Sequence, residues 1–587
     1  MIEAVSRGAA ARGKTAVFPT LLTHPGLLAG SAALLVYLLT LAPDLTWRSH
    51  GGDGGELIAA SVTLGVPHPT GYPTYVLLGK LFSLLPIGTV AYRFNLFSAV
   101  AMAAAVGLTA VTLHTRFSRT TSLAASLTLA FAPLVWSQAT ITEVYGLNLL
   151  AVAAVVWAVV NKRPLFQTTL LYALALTTHA TSLLLLPLVA WAVWETFTAE
   201  GAKDAKEEKD KRVEVQSYRQ TGCHTRESGH PYATQLDSRL RGNDISTVLK
   251  RTLRSLHPLR FKFLLGFLLG LAPLLALPWL ARPASPIVWG RPDTLQGWGW
   301  LVSGQLYRAN LFALPWPDLA QRLADWSGLL ARQFGWLGVP LIAWGCLKMG
   351  RGQTRTNADK SAKSLIFLLL LTAVLTLLHP LTYATPDAHV LLLPTLLLLT
   401  FPLAAGMEEI SRKGAKTQRK PTSFASLRLC VPFFSLVAYL IQPPTDPVAL
   451  RPAVAEIFAH APANAVLLTP GDATIFTLWY FHHAEQQRPD VVLVDSNLFA
   501  FEWYRQRLAA QYPQLRQLTH DDLAAFQQAN QPFCTVTLNP TALDCTNRTR
   551  TSADERGRKT EDGGRSEQVG RRSFVVGRSS SVSPKQP

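Results

Sequence analysis

Hydrophobic residues in this chain come in blocks, and the length of those blocks limits the fold more than any other feature. A helix needs about 20 apolar residues to cross a hydrocarbon core of about 30 Å. Stretches approaching that length lie near 26–43, 90–113, 120–137, 144–160, 164–178, 180–198, 262–281, 329–349, 364–379, 387–405 and 425–442, which gives an expectation of about 11 transmembrane helices. Inside lipid every backbone polar group must be paired within the protein, so such segments fold as helices. Nothing suggests the alternating ten-residue strands of an outer-membrane barrel. With only 16% charged residues, unevenly spread, the chain is a multi-pass α-helical membrane protein and not a large soluble enzyme.

The net charge of +18 is a matter of topology, because the basic residues fall in loops between spans and in the tail; no nucleic acid partner is expected. With residues 1–25 in the cytoplasm, Arg116, Arg119, Lys162, Arg163, Lys348, Lys360, Lys363 and the 412–420 cluster all fall on the inner side. Loops near Thr140 to Glu143, His179 and Leu381 to Pro386 carry almost no Lys or Arg. The loop 44–73, the Trp-rich segment 282–325 and the region after the last span are then extracytoplasmic. Thr74 to Pro86, apolar but short and containing Lys80, reads as a helix along the outer interface. No convincing cleavage site follows Arg7, Arg12 and Lys14, so the first span is expected to act as an uncleaved anchor.

Between these blocks, residues 199–261 are charged and lack sustained periodicity. They read as a variable or disordered cytoplasmic insert, and the 411–429 loop and the 547–587 tail read similarly. Residues 26–198 and 262–442 make up the membrane part, and the pattern changes again in 446–540. AVLLTPGD, DVVLVD and FCTVTL read as strands, with ATIFTLWYFHHAEQQ and FEWYRQRLAAQY as helices between them, an order that implies a small parallel α/β module. Five cysteines at 223, 346, 430, 534 and 545 show no metal-ligand spacing; Cys534 and Cys545 can pair if their region is extracytoplasmic.

The chemistry is concentrated in DLTWRSHGGDGGELIAASVTLGVPHPTGYP, residues 44–73, directly after the first span. Glycines at 51, 52, 54 and 55 let the backbone approach a bound ligand, and a three-residue spacing puts Asp53 and Glu56 on one helical face. A hydroxyl attacking an anomeric carbon needs a carboxylate to take its proton, and Asp53 or Glu56 fits that role. The same spacing fits Asp53 as a helix N-cap with Glu56 as its capping-box partner. His68 is held between prolines, suited to a phosphate, a sugar or a backbone carbonyl. Glu143 sits at an outer span end, where an ionisable group faces a cavity or a partner. Arg93 and Asn95 stand where a lipid phosphate would lie or where an Arg snorkels. His179 lines the site or packs in the core; Tyr383, Asp387 and His389 are weaker candidates at another outer boundary. Asp472 reads as an N-cap, and Trp479, Tyr480 and Trp503 as core.

These residues alone do not separate an enzyme from a transporter; a family resemblance does. Asp53, Gly55 and Glu56, then Leu64, Gly65, His68, Pro69, Gly71, Tyr72 and Pro73, then Arg93, Asn95 and Ser98 follow the pattern D-x-G-E, L-G-x-x-H-P-x-G-Y-P, R-x-N-x-x-S. This resembles the opening of a bacterial and animal membrane family long described as a domain of unknown function, whose animal member is a protein O-mannosyltransferase. Glu143, Val144 and Tyr145 match that family's second luminal motif, and GDATIFTLWYFHHAEQQRPDVVLVDSNLF resembles its recurring C-terminal segment. The likeness implies a GT-C type glycosyltransferase: a polyprenyl-phosphate sugar as donor, Asp53 as base with Glu56 second or on the acceptor, and His68, Tyr72, Arg93, Asn95, Glu143, Tyr145 and His179 binding donor or acceptor. The reading is an inverting transfer of a sugar such as mannose to a protein, lipid or glycan hydroxyl on the outer face of a bacterial inner membrane. No metal and no cofactor besides the lipid-linked donor are expected. A transporter or flippase of lipid-linked sugars is the alternative, but it calls for repeated broken helices in matching halves, which are not found.

Overall fold

The computed structural model of the chain describes residues 24–221, 245–350, 357–416, 437 and 446–546. After α1 (Pro25–Leu39), the loop from Thr40 leads into two short helices, α2 (Gly54–Thr63) and α3 (Pro73–Ser83). The long α4 (Val90–His114) comes next, then α5 (Arg119–Ala130), α6 (Pro133–Ala139), α7 (Tyr145–Val160) and α8 (Leu165–Leu176). The second half adds α9 (Leu186–Thr221), α10 (Ile245–Leu271), α11 (Leu295–Val302), α12 (Trp316–Gly350), α13 (Asn357–Thr382) and α14 (Leu393–Lys416).

Among the described residues five helical segments are long and apolar enough to cross a membrane: Val90–His114, Ala180–Lys203, Pro258–Leu280, Lys360–Thr382 and Ala388–Arg412. The pair α5 and α6, bent by 66°, makes a sixth if it is one broken span, and α1, α7 and α8 are shorter apolar helices. The break falls where expected from Pro133, which cannot donate into the preceding turn. Likewise α12 is interrupted at Gly335, whose φ of 66° and ψ of 162° leave the helical region. The expected span at 425–442 lies almost wholly outside the described residues.

Packing separates enclosed helices from peripheral ones. In Val90–His114 and Ala388–Arg412, 72% and 83% of the apolar window is buried by neighbours, against 22% in Ala180–Lys203 and Pro258–Leu280. Leu264, Leu265, Leu268, Leu269 and Trp279 accordingly face outward, as do Leu77, Leu78, Leu81 and Leu84 along α3. That amphipathic α3 carries Lys80 back to donate to the Val62 carbonyl at 2.6 Å. The helices α12 and α14 cross at Gly345 and Gly406, where a Cβ on either would collide with the other's backbone.

One sequence reading is corrected. Residues 199–221 and 245–261 are helical, as parts of α9 and α10, and are not an irregular insert. Ala, Glu and Lys favour helix, and opposite charges one turn apart, such as Glu200 and Lys203 at 3.5 Å, support it without an apolar stripe. Residues 222–244 and the tail 547–587 lie outside the described residues.

The C-terminal unit begins with α15 (Leu450–His460) and continues β1 (Val466–Thr469), α16 (Asp472–Trp479), β2 (Val492–Asp495), α17 (Ser496–Phe499), α18 (Glu502–Gln511), α19 (Leu523–Ala529), β3 (Phe533–Leu538) and β4 (Thr541–Thr546). Strands β2, β1 and β3 are parallel, as their order with intervening helices requires, and β4 pairs antiparallel with β3 in the sheet order β2-β1-β3-β4. The sequence reading stopped at 540 and missed β4, whose TALDCT pattern is not clearly apolar. A disulfide joins Cys534 to Cys545 across that hairpin.

The loops sort to two ends. At one end Lys162 pairs with Glu195 at 2.9 Å, Lys348 with Glu409 at 3.4 Å, and Ser118 and Thr121 donate to Glu408 at 2.7 and 2.6 Å. At the other, Arg451 bridges Asp44 and Glu485, Thr46 donates to Asp446, and Trp47 Nε1 donates to Thr477 at 2.9 Å. Val66 forms a parallel bridge with Val288, and Arg507 donates to the Arg282 and Ser285 carbonyls. The loops expected on the outer side thus meet one another, and the basic loops cluster apart from them.

The glycines of GGDGG serve this assembly more than a ligand. A Cβ on Gly51 or Gly54 would press on the carbonyls of Thr46 or Thr142 at 2.9 and 3.1 Å, and one on Gly55 would collide with the Phe476 carbonyl of α16. A Cβ on Gly52 meets only Ala473 Cβ, at 3.7 Å. Gly55→Ala is therefore expected to cost about 1–3 kcal/mol through forced backbone separation. Gly52→Ala is expected to stay within about 0.5 kcal/mol of wild type. Thermal unfolding of the two variants in one detergent checks the difference.

Candidate active site

The first loop is shaped before it is functional. Thr142 donates to Asn95 Oδ1 at 2.7 Å, while Asn95 Nδ2 donates to the carbonyls of Ala42 and Asp44 at 2.9 and 3.1 Å. This fixes the start of the loop against α4 and the 140–144 turn. Arg93 likewise donates to the carbonyls of Ile87, Ser83 and Gly88 at 2.8, 2.6 and 3.3 Å, clamping the α3–α4 connection. Arg93 and Asn95 are thus engaged with backbone, Asn95 also with the Thr142 side chain, while the Arg93 guanidinium has N–H groups beyond these three bonds.

Asp53 precedes α2 but makes no side-chain cap, and its φ and ψ of −80° and −13° are already helical. Nor is Glu56 a capping-box partner. It is wholly buried, and its Oε1 accepts from the His68 backbone N–H at 3.2 Å and from Trp289 Nε1, while Oε2 accepts from His68 Nδ1 at 2.5 Å. A carboxylate taken out of water needs such donors, since removing one partner of a buried ion pair costs about 3–5 kcal/mol.

On its far side His68 Nε2 faces the Tyr72 hydroxyl at 3.1 Å and Asp53 Oδ2 at 3.7 Å. The turn that allows this has Gly71 at φ 80° and Tyr72 at φ 40°, with the Gly71 N–H donating to the His68 carbonyl at 2.8 Å. Aromatic rings wall in the imidazole: Phe476 stacks at 6.3 Å with an interplanar angle of 11°, and Trp289 and Tyr307 stand edge-on at 6.1 and 6.3 Å. Burial alone would neutralise His68, but Glu56 first and then Asp53 outweigh it and push its pKa up to about 9. Asp53, whose side chain remains 40% exposed, is raised from the ordinary carboxylate range by loss of water around it, against the downward pull of His68.

From Tyr72 a ring series continues outward. His179 stacks on Tyr72 at 6.0 Å, and Tyr145 packs on His179 at 5.7 Å; His179 Nδ1 accepts from the Thr181 N–H at 3.2 Å. Beside Tyr145, Glu143 is 2% exposed and its Oε1 has no hydrogen-bond partner. Burial, then the charges of Asp53 and Asp387, raises the Glu143 carboxyl well above its usual range. The structure therefore brings together Asp53, Glu56, His68, Tyr72, His179, Tyr145 and Glu143, while Arg93 and Asn95 bond to the adjoining loops.

Several residues at the site went unrecognised in the sequence. Trp289, Tyr307 and Phe476 come from distant segments that no spacing connects to His68. Asp472, expected as an N-cap, follows Gly471, makes no capping bond, and is raised to about 6 by loss of water, then by Asp495, Asp53 and Glu56. The one available signal was the C-terminal segment containing Phe476 and Asp472, which carries part of the motif likeness. Asp387, a weaker candidate, adds negative charge near Asp53 and Glu143.

Fold and site together define a helical membrane protein with an acidic–imidazole centre at one end, closed over by a C-terminal α/β unit. Comparison with known proteins narrows that class. Residues 53–200 match the protein O-mannosyl-transferase TMEM260 N-terminal domain, and residues 453–525 match TMEM260-associated domain 2. The first match begins at Asp53 and takes in every residue of the ordered motif.

The mouse protein O-mannosyl-transferase TMEM260 is 37% identical over 144 residues, covering 24% of this chain and 18% of that relative. The Dictyostelium discoideum protein of the same description is 23% identical over 526 residues, covering 80% of this chain and 57% of the relative. The chain thus matches well under two thirds of the length of either. A crystal structure of ArnT from Cupriavidus metallidurans bound to undecaprenyl phosphate aligns over 83% of this chain and 92% of that one, with 12% identity and a TM-score of 0.45. This chain is thus O-mannosyltransferase-like in residues 53–200 and in residues 453–525 of its C-terminal unit.

The charge on His68 ties stability to pH. Its pKa rises from 6.5 in the unfolded chain to about 9 in the fold, so its contribution is complete below about 6.5 and is lost as pH climbs through 9. Melting temperatures of wild type are expected to fall between pH 6.5 and 9, and His68→Gln to flatten that decline while lowering the starting value. Scanning calorimetry across this interval checks both.

Proposed function

We propose that the protein is an inverting glycosyltransferase of GT-C type that moves a sugar, mannose in the first instance, from a polyprenyl-phosphate carrier to a protein hydroxyl outside the cytoplasm. One observation carries the reading: Asp53 presents a partly open carboxylate at the end of a buried Glu56–His68 pair. That is the arrangement a general base needs, with one face open to substrate and the other held by fixed charge. The names of the mouse and Dictyostelium relatives support the mannosyl donor and the protein acceptor.

In the proposed reaction Asp53 takes the proton of a Ser or Thr hydroxyl as its oxygen attacks the anomeric carbon. The bond from that carbon to the phosphate oxygen breaks from the opposite face, so configuration inverts, and the lipid phosphate leaves with the electron pair. His68, held cationic by Glu56, orients Asp53 and offsets the negative charge of donor phosphate and carboxylate in a crowded space. Tyr72, His179 and Tyr145 provide ring faces for the sugar, and the unpaired Oε1 of Glu143 provides an acceptor for a sugar hydroxyl. A leaving lipid phosphate needs positive or hydrogen-bonding groups, and no metal is invoked.

Sidedness belongs to the same proposal. We take the basic end to be cytoplasmic and the site to be outside; the segregation of basic loops from the Asp53 end supports this, as does the disulfide between Cys534 and Cys545, which is chemically at home there. The test is an assay of purified protein with polyprenyl-phosphate mannose and Ser/Thr peptides. Asp53→Asn is expected to lose on the order of a thousandfold in turnover while keeping its melting temperature. Wild-type turnover in a folded Asp53→Asn variant contradicts the assignment.

A further inference from the structure

We propose, building on the transfer reaction above, that the cleft between Trp47 and the turn leading into α16 holds an extended polypeptide segment of the acceptor. The cleft is open to solvent, offers about 330 Å³, and is lined by Trp47, Gly471, Asp472, Thr474, Thr537 and Asn539, with Pro470, Ala473 and Leu538 completing its walls. That volume lies within the range of small-ligand sites, about 300–1,000 Å³. Two parts of the chain meet here, the first loop and the C-terminal unit, and no lining residue belongs to an apolar span.

Its position relative to the base makes it an acceptor site. Ala473 forms one wall, and its Cβ stands 3.7 Å from where a Gly52 side chain would begin. Gly52 directly precedes Asp53, so this wall of the cleft abuts the residue beside the base. Asp472, another wall residue, stands close enough to Asp53 and Glu56 to feel their charge, so a hydroxyl on a chain in the cleft lies near the base.

The walls suit a peptide. Trp47 is fixed by its Nε1 bond to Thr477 and is the single aromatic lining residue, whereas a glycan site draws on several ring faces. Asp472, Thr474, Thr537 and Asn539 supply acceptors and donors for backbone amides and carbonyls. Pro470 to Thr474 follow β1 and Thr537 to Asn539 close β3, so the cleft opens at the carboxyl ends of two parallel strands, where α/β sheets bind their ligands.

The test uses the full-length protein in detergent and two readouts. A photoreactive residue in place of Thr537 is expected to cross-link a labelled Ser/Thr peptide, with unlabelled peptide competing and free oligosaccharide or lipid-linked sugar failing to compete. In parallel, Thr474→Trp and, on the opposite wall, Asn539→Lys are expected to raise the KM for the peptide about tenfold with the KM for the donor unmoved. Absence of the cross-link, competition by glycan or lipid in place of peptide, or unchanged peptide KM in both folded variants overturns the inference. The comparison of wild type with Asp53→Asn is run alongside; Asp53-dependent transfer without a cross-link leaves the function standing and removes only the acceptor site, whereas a cross-link without Asp53-dependent transfer removes the function.

Discussion

Everything at the outer end of this molecule depends on a buried ion pair, Glu56 with His68. A carboxylate with no exposure is tolerated only because the His68 imidazole, the His68 backbone N–H and Trp289 Nε1 all point at it. Those donors come from the loop 64–72 and from the segment after α10, so the pair also holds two parts of the chain together. The Val66–Val288 bridge beside it does the same through backbone. The energetic hazard of stranding either charge gives the loop a single geometry, and Asp53 inherits that geometry through Nε2 of the same ring.

The second constraint is the C-terminal unit. Phe476 stacks on His68, the Phe476 carbonyl occupies the space a side chain on Gly55 would need, and Arg451, Asp446 and Thr477 bind Asp44, Thr46 and Trp47. This unit is part of the site and not an appended module. Its docking explains why an acidic loop at the end of a helical bundle is shielded from water on one flank and open on the other. The open flank is where Asp53 lies.

Much of the fold was legible because apolar block length and basic loop placement are each direct consequences of solvation. The spans around Val90–His114 and Ala388–Arg412 and the α/β order after 446 follow from such patterns. Where the pattern was compositional, it misled: the charged stretch after 198 continues as helix, because ion pairs one turn apart need no apolar stripe. The ordered motif located Asp53, Glu56, His68 and Tyr72, which lie within 20 residues of one another. What it did not contain was the backbone clamp: Arg93 and Asn95, expected to bind substrate, also hold loops. Trp289 and Phe476 were invisible because only the folded chain brings them to the imidazole.

The central claim is that the base works through the charged His68 beside it. The most direct measurement is the pH profile of kcat/KM for sugar transfer in wild type and His68→Gln. Because His68 lowers the pKa of Asp53, its removal is expected to move the acidic limb of the profile to higher pH. An acidic limb that stays in place in a folded, active His68→Gln enzyme contradicts the account.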